Sequence, residues 1–177
     1  MDGLTFATST PLNVLAIRLG LAALCGFLIG FEREAHDRPA GLRTHMLTAL
    51  AAALFVIIAI EMIHQFGFST EDENTRLDPI RVVEAVTSGV AFLAAGTIIQ
   101  ARGSVKGLTT GAAMWLAGAV GLASGAGFIT IAILGTVFAL LVLVPLKIME
   151  RKFFDKKKKK AQGTKPSEAE TSRLEQG

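Results

Sequence analysis

The sequence runs 39 residues, from Leu108 to Leu146, without a charged side chain. A hydrocarbon core of about 30 Å is crossed by about 20 helical residues. The stretch is too long for one span and fits two of about 19 residues. Gly125-Ala126-Gly127 near its middle supplies the turn between them.

Three earlier apolar blocks have single-span length: about 12–31 with Arg18 inside, 45–63 with Glu61 near its end, and 82–99 with Glu84 near its start. The strand-like alternation that a closed barrel needs is not seen. Backbone polar groups in lipid must be satisfied within the chain, which leaves helices. The expected fold is therefore an all-α membrane protein, a bundle of five transmembrane helices at about 12–31, 45–63, 82–99, 108–124 and 128–146. About half of the 177 residues are hydrophobic, and the charges fall between the blocks. That pattern excludes an ordinary cytosolic enzyme, a nucleic-acid partner and a wholly disordered chain. Met1 to Pro11 carries Asp2 and no Lys or Arg, so a cleavable signal is not expected.

Basic residues in the connections set the orientation. The 32–44 connection carries three arginines, 64–81 two, 100–107 two, and the segment from Lys147 onward ten. Alternating sides place fifteen basic residues on one face and two on the other. The N-terminus is then expected outside and the C-terminus in the cytoplasm. Residues 1–150 form the membrane domain. Residues 151–177 read as a disordered polybasic and charged cytoplasmic tail, in which Lys156 to Lys160 can anchor topology or touch anionic lipid headgroups.

Charge at membrane depth needs a reason. Arg18, Glu61, Arg81 and Glu84 fall at similar depth on the outer side, where Arg18 can pair with Glu61 or Glu84 and the cluster can mark a cation or proton site facing outside. The alternative is snorkelling side chains and structural ion pairs. The connection after the first helix mixes signs: Glu32, Arg33, Glu34, His36, Asp37, Arg38, Arg43, Thr44 and His45 surround Pro39 and Gly41. Its carboxylates could meet a hard cation such as magnesium. The other reading is a salt-bridged cap on the bundle.

Small residues recur at helical spacing: Gly26 and Gly30, Gly107 and Gly111, Gly121 and Gly125, with Gly89 and Gly96 in the third helix. They let backbones approach closely and support tight packing or a homo-oligomer. A sharper reading is a polar path along Thr87, Ser88, Thr97, Gln100, Thr109 and Thr110. Trp115 reads as a packing residue. Walker A, GxSxG, HExxH and CxxC patterns are all missing. His36 and His45 are nine apart and form no i, i+4 zinc pair.

Gly26 to Glu34 (GFLIGFERE) with Ala40 to His45 (AGLRTH) resembles the first signature of MgtC/SapB-type membrane proteins. Asp78 to Arg81, Ser88-Gly89 and Phe92 to Gly96 resemble the second. Lys106 to Ala112, then Trp115 and Gly121, resemble the third. The three follow in order over roughly 12–146. The resemblance implies a five-helix inner-membrane protein of bacteria, linked to low-magnesium adaptation, survival in host cells and membrane energetics. It also implies a partner membrane complex, ATP synthase or a transporter. It carries polar roles onto Glu32, Arg33, Glu34, Arg38, Arg43, Thr44, Asp78, Arg81, Thr109 and Thr110. Ala94 stands where the family usually has glycine, and Ala85 where a glutamine is frequent. With a 27-residue tail after the last span, the chain resembles the short SapB-type branch.

The resulting expectation is a non-enzymatic membrane protein without cofactor, adapting the cell to low magnesium or to acid and host-cell stress through a partner complex. The competing expectation is a small magnesium or proton transporter or channel. A structural subunit is the third.

Overall fold

The computed structural model describes residues 8–66, 79–101 and 104–144. The expected tail and Asp78 lie outside them. Five helices form: α1 (Leu12–Glu34), α2 (Leu42–Phe66), α3 (Pro79–Gly96), α4 (Leu108–Ala126) and α5 (Ile129–Val144). Four are long and apolar enough to cross a membrane, and α5 is shorter over its described length. By its internal contacts the chain divides into residues 1–140 and 141–177. All packing below belongs to the first unit. In the second, the described residues are Leu141 to Val144, the last turn of α5.

Helix ends follow local chemistry. Pro11 precedes α1, and its carbonyl accepts from the amides of Val14 and Leu15. Pro79 opens α3, at the helical position where its missing N–H costs nothing. Gly127 (φ +87°) closes α4, with Phe128 N–H bonded to Ala123 O and Gly127 N–H to Ser124 O. That is the double-bonded helix stop in which glycine takes the left-handed position.

The third span ends earlier than expected, at Gly96 rather than residue 99. The amides of Thr97 and Ile98 bond back to Ala94 and Ala95, and the chain then turns into strands. Strand β1 (Ile99–Ala101) pairs antiparallel with β2 (Ser104–Lys106), Ile99 facing Lys106. β-Branched Thr97, Ile98 and Ile99 favour this extended path over another helical turn. A short hairpin thus stands where a plain loop was expected.

The tightest packing centres on α2. A Cβ on Gly26 would lie 2.7 Å from His45 O and 2.8 Å from Met46 Cα. A Cβ on Gly30 would lie 2.7 Å from Leu42 Cα. On the other side, Gly121 and Gly125 of α4 rest on the backbone of Ala49 and Ala53. These two glycine pairs therefore grip one helix, which presents Ala49 and Ala53, both buried, to the α4 seam. Small residues do this work because lipid removes the usual hydrophobic drive between helices. Helix α3 packs on α4, where Val90 fills the space beside Gly118, and only lightly on α2.

Not every candidate packing glycine sits at such a contact. A Cβ on Gly111 would lie 3.0 Å from Ala94 O across the α3–α4 seam, and Gly107 caps α4 at φ +89° against Thr97 O. A Cβ on Gly89 or Gly96 would meet open space. Their faces of α3 have no neighbouring backbone among the described residues, so close packing is not their role there.

Candidate functional site

Two charge-bearing ends emerge. At the end holding the α1 N-terminus, the expected pairing of Arg18 with Glu61 or Glu84 does not form among the described residues. Glu61 instead accepts two backbone amides, Ser9 N–H at 2.6 Å and Thr10 N–H at 3.0 Å. This holds the segment leading into α1 and places a carboxylate beside that helix's positive end. Arg18 donates from Nη1 to Gly125 O at 3.0 Å, putting a cation at the negative end of α4. Both charges thus complement helix dipoles rather than each other. Arg18→Met should lower stability by about 1–2 kcal/mol through the lost cap, read as a lower Tm in detergent. Arg81 and Glu84 are exposed on the first turns of α3.

The other end is the more unusual. Arg33, 3 % exposed, reaches from the last turn of α1 to α4, where its Nη2 donates to Thr110 Oγ1. Glu32, 8 % exposed, sits in electrostatic reach of Arg33 and lies 3.1 Å from His36 Nδ1. His45, with no exposed surface, donates from Nδ1 to Gly41 O at 2.9 Å. A donating Nδ1 leaves Nε2 as the acceptor of a neutral ring. His45 also feels the charges of Arg33 and Glu32. Two buried atoms here make no hydrogen bond: Arg33 Nε, a donor, and His45 Nε2. Buried polar groups without partners are uncommon and costly.

The connection around this cluster is built, not slack. Asp37 (φ +50°) takes the left-handed position after α1, while Arg38 N–H bonds Arg33 O and Asp37 N–H bonds Glu34 O. Glu34 Oε2 then accepts Leu42 N–H at 3.0 Å, capping the start of α2. Gly41 lies against that carboxylate, which would have to move aside to admit a Cβ. Ala40 is also left-handed (φ +54°), at a cost that glycine avoids. Ala40→Gly should therefore leave the fold intact and raise stability by up to about 1 kcal/mol, seen as a higher Tm.

The sequence-derived candidates separate accordingly. Glu32, Arg33, His45 and Thr110 come together. Glu34, Asp37, Arg38, Arg43 and Thr44 frame them: Glu34 and Asp37 shape the turn, Arg38 and Arg43 are exposed, and Thr44 O accepts from the Thr48 hydroxyl. Thr109 is exposed, as are Ser88 and Gln100, while Thr87 borders a small α3–α4 cleft with Trp115. The supposed polar path therefore does not line up. Nor do Glu32, Glu34 and Asp37 gather around one point. No group of three His, Cys, Asp or Glu residues among those described could hold a metal ion. Magnesium prefers several oxygen ligands, and among the described residues this end gathers no such set. The alanine partner of the glycines was missed from sequence, although Ala49 and Ala53 carry the same four-residue spacing.

Several apolar helices of spanning length, sealed by glycine seams and ended by buried charge, define a multi-pass helical membrane protein. The profile of the MgtC family matches residues 19–152, and the chain belongs to that family. It is 40% identical over 129 residues to "Putative magnesium transporter YhiD" of Escherichia coli, covering 72% of this chain and 58% of that one. It is 41% identical over 132 residues to Protein MgtC of Brucella abortus, covering 75% and 51%. It is 35% identical over 139 residues to Protein SapB of Bacillus subtilis, covering 78% and 59%. The chain thus spans little more than half the length of these relatives. No solved structure matches it.

Proposed function

We propose that this chain is a non-enzymatic regulator of a partner complex in the bacterial inner membrane, acting in adaptation to low magnesium or to acid and host-cell stress. Family membership supports the setting. The observation that carries the regulatory reading is how the buried charges are placed. Glu32, Arg33 and His45 gather at one end, whereas the seams running away from them along α1, α2 and α4 are closed by glycine against backbone. A polar cluster backed by sealed seams suits a docking or sensing end better than a conduction path. In the orientation that the basic residues favour, this end and the exposed Arg38 and Arg43 face the cytoplasm.

Ion transport is the second reading. It draws on the printed name of the Escherichia coli relative and on Arg33 Nε and His45 Nε2, which have no hydrogen-bond partner. One experiment separates the two. Purified protein in liposomes is assayed for magnesium and proton flux, and a photo-crosslinker at position 38 or 43 is activated in cells. The regulatory reading expects no flux above empty vesicles and one discrete crosslinked membrane protein. Saturable flux abolished by Glu32→Gln would overturn it. A reporter fused after Lys160 tests the orientation and should be cytoplasmic.

A further inference from the structure

Helices α2 and α3 diverge enough to leave a groove of about 640 Å³ between them. Its base is Ala52, Val86 and Val90, all buried, and its rim includes exposed Phe55 and Leu93. Both walls are helices of membrane-spanning character, so the groove opens toward lipid. Its lining is almost wholly apolar, and the one charged lining residue is Arg81.

We infer that this groove binds one acyl chain of an anionic phospholipid, with Arg81 at the headgroup. Length supports that occupant. Arg81 and Leu93 are twelve helical residues apart, about 18 Å, which is close to one leaflet of a core about 30 Å thick. Charge supplies the selectivity. Among the described residues Arg81 makes no hydrogen bond or ion pair, and it stands in the first turn of α3, where the helix dipole adds positive potential. Glu84, three residues on, is exposed but does not line the groove. A second amphipathic feature follows: Gly89 lines the groove and has nothing within 4 Å of its Cβ position, which leaves the middle of the slot open.

The test uses the full chain, reconstituted in equal phosphatidylglycerol and phosphatidylcholine, extracted in mild detergent, with retained lipid quantified by mass spectrometry. Wild type should retain phosphatidylglycerol about five-fold over phosphatidylcholine, the ratio set by one basic charge at a headgroup. Arg81→Gln should retain lipid without preference. Gly89→Phe should fill the slot and retain neither, while Gly20→Phe, equally open but outside the groove, should behave as wild type. The inference fails if wild type shows no headgroup preference, if the preference survives Arg81→Gln, or if Gly89→Phe retains lipid normally. Efficient disulfide crosslinking of Leu93→Cys chains would seat a second copy there instead and also overturn it.

Discussion

Gly121→Ala is expected to destabilise the membrane bundle by about 1–3 kcal/mol, and Gly121→Leu to prevent its assembly. The added Cβ would stand 2.6 Å from Ala49 Cα and 2.7 Å from Ala49 C. Those are backbone atoms of α2, so no side chain can turn aside to make room. The helices must separate, and separation also pulls on Gly125, whose Cβ position is 2.7 Å from Ala53 Cα. Gly26→Ala and Gly30→Ala should act in the same direction from the α1 side of α2. Gly20→Ala, Gly89→Ala and Gly96→Ala are the contrast. Each has open space at its Cβ, so each should be neutral or gain up to about 1 kcal/mol of helix propensity. Thermal unfolding of the detergent-solubilised variants, followed by size-exclusion profile, distinguishes the groups. Equal effects at Gly121 and Gly89 would refute the gripped-helix arrangement.

That contrast shows what the sequence could and could not convey. The five helices were legible, four of them at spanning length, because the bilayer imposes one length and one solvent on every span. Glycine spacing was legible too, but a glycine is only half of a contact. Gly121 and Gly89 look alike in the chain, and only the position of Ala49 tells them apart. The end of α3 was misjudged because Thr97, Ile98 and Ile99 continue the apolar run, while the helix stops at Gly96 and Ile99 opens a hairpin. The charges at the α1 N-terminal end were misread for a related reason. Opposite signs at similar depth suggested Arg18 against Glu61, yet each found a helix terminus instead, an acceptor or donor that composition does not reveal. The 32–45 connection was the most legible of the polar segments. Its mixed charges exceeded what a topology signal needs, and the structure gives several of them distinct tasks.

At that connection, Arg33→Met should cost about 3–5 kcal/mol despite similar volume, because it removes a buried cation and leaves buried Glu32 with only the exposed His36 ring as an ion-pair partner. Arg33 is 3 % exposed, and its only hydrogen bond among the described side chains goes to Thr110. Thr110→Val removes just that acceptor. It should cost less, about 1–3 kcal/mol, since a buried charged donor then goes unmet. If the two residues act through one bond, the double variant Arg33→Met with Thr110→Val should be no worse than Arg33→Met alone. Adding Glu32→Gln to Arg33→Met should recover much of the loss, because the uncompensated charge disappears with it. Additive losses across this set would mean that Arg33 stabilises α1 and α4 by packing alone. Recovery in the Glu32→Gln, Arg33→Met protein would instead yield a folded bundle with its buried charges removed. That variant separates stability from function: if the polar end is what engages a partner, the bundle should fold, insert and lose its crosslink from position 38 or 43.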